Sequence, residues 1–110
     1  MTWLTAYLVT QVVEVPIYLD AGRRLAVSRR WLFAIGASSV THPVVWYAFP
    51  WETAPWGWCF VGAETFAVVV EGGLGKWAGL ERPWFPALVA NMVSVIVGFV
   101  IQWIVPFSSL

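Results

Sequence analysis

Residues 56–74 read Trp-Gly-Trp-Cys-Phe-Val-Gly-Ala-Glu-Thr-Phe-Ala-Val-Val-Val-Glu-Gly-Gly-Leu, an apolar run broken by two acids, Glu64 and Glu71. About 20 helical residues cover a hydrocarbon layer of roughly 30 Å, so the run reads as a membrane-spanning helix. The two acids are seven residues apart, which at roughly 100° per residue leaves them within about 20° of each other on one face. A carboxylate at mid-bilayer costs about 2.5–3.5 kcal/mol on insertion scales. A face bearing two of them is expected to turn toward protein or water, which predicts a polar seam inside a small membrane bundle.

The composition agrees with a bilayer as solvent. Of 110 residues, 60% are hydrophobic and only 11% charged, with nine Trp, which leaves too little polar surface to cover a water-soluble core. Net charge is zero and the only sizeable basic run, Arg23, Arg24, Arg29 and Arg30, lies between apolar segments, so nucleic acid is not an expected partner. The single Cys59 excludes an internal disulfide and reads as a small packing residue. The first apolar run has no basic region before it and no small-residue cleavage pattern, so it is expected to be a retained helix.

Working outward from residues 56–74, three further spans are expected at about 3–20, 31–50 and 84–107, giving one all-α transmembrane domain over residues 1–110. The first span holds Gln11 and Glu14 on neighbouring positions of one face and then Pro16, which removes a backbone donor. The second holds Ser38, Ser39, Thr41 and His42 before Pro43 and ends among Trp46, Tyr47 and Trp51, rings of the kind that settle at headgroup level. The third is left through Gly72, Gly73 and Gly75, and the fourth contains Asn91, Ser94 and Gln102. All six basic residues lie in the linkers 21–30 and 75–83. The positive-inside rule therefore places those linkers in the cytoplasm and both termini on the opposite side, in a multi-pass protein of a bacterial inner membrane.

An internal repeat is also legible. Residues 31–41, Trp-Leu-Phe-Ala-Ile-Gly-Ala-Ser-Ser-Val-Thr, align with residues 84–94, Trp-Phe-Pro-Ala-Leu-Val-Ala-Asn-Met-Val-Ser. Ser38 meets Asn91 and Thr41 meets Ser94, and upstream Val12-Val13-Glu14 matches Val69-Val70-Glu71. The expected architecture is two parallel helical hairpins related by an axis along the membrane normal, with Glu14 and Glu71 equivalent. Glu64 and His42 have no ionisable counterpart in the other half.

The seam has more than one chemical reading. A carboxylate in a low-dielectric site can hold and release a proton, and intramembrane Glu and His often mark ion routes. This favours a proton- or cation-linked transport or channel component in which Glu64 and Glu71 carry the ion chemistry, supported by Glu14, His42, Asn91, Ser94, Ser38 and Thr41. In the alternative, the same residues only hydrogen-bond helices together in an assembly or accessory subunit, as a homo-oligomer or beside a larger membrane partner. A metal site built from His42, Glu14, Glu64 and Glu71 lacks the tight spacings that identify one. The simpler account of His42 is a bond to the backbone group left unpaired by Pro43. No nucleophile stands beside a base and no Gly-rich phosphate loop occurs, so neither an enzyme nor a cofactor is expected.

The set Glu14-x-Pro16, Thr41-His42-Pro43, Glu64 with Glu71, and Asn91-x-x-Ser94 resembles small bacterial inner-membrane proteins with four spans. That resemblance implies a location and no activity. Length and a Glu in the first helix are also similar to the small multidrug resistance transporters. The complete charge bias departs from the weak bias those proteins are known for, so Glu14 does not take over their proton-coupling role.

Overall fold

The structure, a computed structural model, describes residues 2–104. It is all-α, with helices α1 (Trp3–Ala21), α2 (Val27–Tyr47), α3 (Trp56–Ala78) and α4 (Trp84–Ile104), and no strand among the described residues. Consecutive helices pack on each other and α1 closes on α4, so the four form a ring. Short connections make such neighbours antiparallel. The helices α3 and α4 are long and apolar enough to cross a membrane.

Local sequence accounts for most helix ends. The Thr2 hydroxyl caps α1 by accepting the amide of Thr5 at 3.2 Å, a contact that satisfies one of the donors the first turn leaves open. Pro86 stands in the first turn of α4, where a missing amide costs nothing. At the other end of α3, Gly79 takes the left-handed conformation with φ 108°. Its amide bonds to the Gly75 carbonyl at 3.1 Å, while that of Leu80 reaches the same carbonyl at 2.9 Å. Only glycine enters this region without strain. Gly79→Ala is therefore expected to lose about 1–2 kcal/mol in an equilibrium unfolding measurement.

Three boundaries differ from the spans read in the sequence. The second helix starts at Val27 and ends at Tyr47, not over 31–50, because Arg29 and Arg30 are good helix formers, Arg29 reaching solvent and Arg30 bonding back to the carbonyls of Arg23 and Leu25. The third continues through Gly72, Gly73 and Gly75 to Ala78 instead of stopping at 74. Two of those glycines are held by packing: a Cβ on Gly72 would lie 2.2 Å from the Trp84 ring, and one on Gly75 2.9 Å from Leu80. The fourth helix is described to Ile104, and the rest of the expected span to Phe107, with Pro106 and the polar tail, lies outside the described residues.

The interior is built largely of small and polar residues, and much of the exterior is apolar. The buried set combines small residues, Ala34, Ala37, Ala63, Ala87 and Ala90, with the polar side chains Glu14, Ser38, Thr41, Glu71 and Asn91. Large apolar side chains such as Leu8, Val12, Leu32, Val61, Phe85 and Ile96 stand exposed around the outside. One apolar centre lies toward the α1–α2 turn, where Tyr18 meets Phe33 edge-on at 4.9 Å and packs with Ala78 and Leu80. Cys59 is buried, with its thiol 3.4 Å from the Pro50 carbonyl.

Candidate functional site

Glu71 is the centre of the buried polar set. Its Oε2 accepts the Thr41 hydroxyl of α2 at 2.6 Å, and its Oε1 accepts the Asn91 amide of α4 at 3.2 Å and the Tyr18 hydroxyl of α1. One carboxyl thus receives a donor from each of the other three helices. Thr41 and Asn91 also bond back to the carbonyls of Ala37 (3.3 Å) and Ala87 (2.8 Å), one turn before each of them, which orients both side chains.

Glu14 of α1 lies near Glu71, the two acids being held by Ser94 and Asn91 on neighbouring turns of α4. Its Oε2 accepts the Ser94 hydroxyl of α4 at 2.6 Å, and its Oε1 is buried with no donor. Both acids are almost fully enclosed, at 2% and 1% exposure. The ion pairs among the described residues are Arg23 with Asp20 and Arg24 with Glu81, both at the surface. The two buried acids therefore face each other with no cation to neutralise them.

A second polar group ties α1 to α2. The Gln11 amide donates to the Tyr7 hydroxyl at 2.7 Å and to Ser39 at 3.2 Å, and its oxygen accepts Ser38 at 3.1 Å. Tyr7 and Ser39 are themselves 2.6 Å apart. Residues 7, 11, 14 and 18 recur at spacings of four, three and four, so Tyr7, Gln11, Glu14 and Tyr18 form one continuous inward stripe on α1.

The residues singled out in the sequence thus divide. Glu14, Glu71, Thr41, Asn91 and Ser94 come together; Ser38 joins the Gln11 group. Glu64 is only partly buried, with its Oε2 enclosed and without a partner. His42 sits among rings, 5.4 Å from Trp3, 5.6 Å from Tyr7 and 5.8 Å from Trp46. Its Nε2 is buried and unpartnered. Among the described residues no three His, Cys, Asp or Glu side chains group as a metal ion would require. Tyr18 was not foreseen as a site residue, although its position one turn after Glu14 was the available signal.

No family model, curated protein or solved structure matches this chain.

Proposed function

We propose that this chain is a four-span protein of a bacterial inner membrane, built from two helical-hairpin repeats, and that it serves as a small proton-linked transport component in which Glu14 and Glu71 hold the proton. The observation that carries this is the pair of enclosed acids held on neighbouring turns of α4, neither of them in an ion pair among the described residues. Two carboxylates close together in a low-dielectric core repel strongly. A single proton between them removes the repulsion and supplies the donor that Glu14 Oε1 otherwise lacks. Its departure restores like charges on α1 and α3, which gives protonation a mechanical effect on the ring of helices.

The membrane placement is supported by the exposed apolar exterior and by the confinement of all six basic residues to the α1–α2 and α3–α4 connections and the helix ends beside them, the side taken as cytoplasmic, with both termini on the opposite side. The repeat is supported by a matched pair of bonds. Thr41 of α2 bonds to Glu71 of α3 and Ser94 of α4 bonds to Glu14 of α1, each at 2.6 Å. The aligned alanines, Ala34 with Ala87 and Ala37 with Ala90, are all buried. Glu64 takes the role of relay: it lies seven residues before Glu71 on α3, about 10 Å along the axis, close enough to exchange a proton through water.

Proteoliposomes loaded with a pH-sensitive dye test the proposal. Under an imposed pH gradient with potassium and valinomycin, the wild type is expected to equilibrate protons at least about ten-fold faster than Glu71→Gln or Glu14→Gln, since each variant removes an ionisable member of the pair. A wild-type rate no greater than that of protein-free vesicles overturns transport. The second reading, an accessory subunit in which the same bonds only fasten helices, is favoured by the convergence of three helices on Glu71. It expects no proton flux and a partner that co-purifies.

A further inference from the structure

We propose that the groove between α2 and α3 holds an anionic phospholipid of the cytoplasmic leaflet, its phosphate on Arg29 and an acyl chain along Gly36. This rests on the membrane placement proposed above and adds a ligand to the groove between α2 and α3, whose lining does not include the acid pair. The groove has a volume of about 150 Å³ and is lined by Arg29, Leu32, Gly36, Val40, Leu74 and Trp77 among others. It exists because Gly36 has no side chain: nothing lies within 4 Å of the place its Cβ would occupy. Apart from Arg29 the lining is apolar and contains no acid.

Arg29 differs from the arginines around it. Arg30 is fastened to the carbonyls of Arg23 and Leu25 at 2.8 and 3.2 Å, Arg23 stands beside Asp20, and Arg24 beside Glu81. Arg29 is exposed, forms no ion pair among the described residues, and has a single long bond of 3.4 Å to the Ala78 carbonyl. Its planar fork is thus available, and phosphate is the anion that such a fork matches in two parallel bonds.

The dimensions fit one leaflet. Arg29 and Val40 are eleven positions apart, about 16 Å of helix at 1.5 Å per residue. Half of a roughly 30 Å hydrocarbon layer is about 15 Å. A phosphate at Arg29 would therefore sit at headgroup depth while its chain ends near Val40. The exposed Trp77 indole stands at the same end as Arg29, at the level where such rings settle. A second copy of this chain is a poorer occupant, because a two-fold axis along the membrane normal would set Arg29 against its own equivalent, and like charges across an interface are unfavourable.

Native mass spectrometry of the intact protein released from nanodiscs of equal phosphatidylglycerol and phosphatidylcholine reads the outcome. The wild type is expected to retain phosphatidylglycerol about five-fold over phosphatidylcholine, the fold-change equivalent to one basic residue's attraction for an anionic surface. Arg29→Gln should equalise the two lipids, and Gly36→Leu should reduce retention of both with helix content unchanged by circular dichroism. Equal retention by the wild type, or full retention by Gly36→Leu, overturns the lipid site, as does cross-linking of two copies through residue 36. Flotation with phosphatidylcholine vesicles and resistance to carbonate extraction separate the levels. A chain that fails both sinks the membrane placement and the lipid site together, whereas one that passes both but shows no lipid preference sinks the lipid site alone.

Discussion

Glu71→Ala is expected to destabilise the helical ring by about 3 kcal/mol, measured as loss of helix on denaturant titration in mild detergent. The cost does not fall equally on the three donors that Glu71 accepts. Thr41 and Asn91 keep their bonds to the Ala37 and Ala87 carbonyls, so each retains an acceptor. The Tyr18 hydroxyl is fully buried and loses its acceptor. A stranded buried hydroxyl costs about 1–3 kcal/mol, and the cavity left by the missing side chain adds a comparable amount. Adding Tyr18→Phe to Glu71→Ala removes the stranded group, so the double variant should regain about 1 kcal/mol over the single one. Equal stability of the two would show that Tyr18 is not held by Glu71.

The second large effect concerns two adjacent glycines with opposite expected outcomes. A Cβ at Gly72 would lie 2.2 and 2.5 Å from Cε3 and Cζ3 of Trp84, which requires the whole indole to move, while a Cβ at Gly73 meets nothing within 4 Å. Overpacking of this kind costs about 1–3 kcal/mol, whereas replacing an unhindered helical glycine by alanine gains about 0.5–1 kcal/mol. Gly72→Ala should therefore unfold earlier than the wild type and Gly73→Ala later. Trp84→Leu should restore much of the loss in Gly72→Ala, since the smaller side chain vacates the space. Two glycines that behave alike would remove the Trp84 contact from the account of α3.

Parts of this arrangement were legible in the chain. An acid inside a greasy run, Glu71, announced a group that lipid would reject, and the alignment of residues 31–41 with 84–94 singled out Thr41, Asn91 and Ser94 as polar positions a chance match would not supply. Helix periodicity set Glu64 and Glu71 on one face, but it could not show that α1 would bring Glu14 against Glu71 and leave Glu64 half-covered. Pairings across helices depend on which faces meet, and one sequence does not carry that information. His42 looked like a member of the seam for the same reason, until rings contributed by residues 3 and 7 enclosed it. Tyr18 shares the face of Glu14 one turn on, but which acid its hydroxyl would meet depended on the packing of α1 against α3. The glycines at 72, 73 and 75 resembled a helix stop; only the large side chain of Trp84, supplied by the next helix, explains the absence of a side chain at 72.

The bond between Glu14 and Ser94 joins residues 80 positions apart. At a translation rate of roughly 5–20 residues per second, about 4–16 s pass between the emergence of one and the other. During that interval the leading hairpin carries an acid whose hydroxyl partner has not been synthesised. In the membrane placement proposed above, biogenesis of this chain would call for a temporary polar shelter, in the insertion machinery or near the bilayer surface, until the last helix arrives and relieves it.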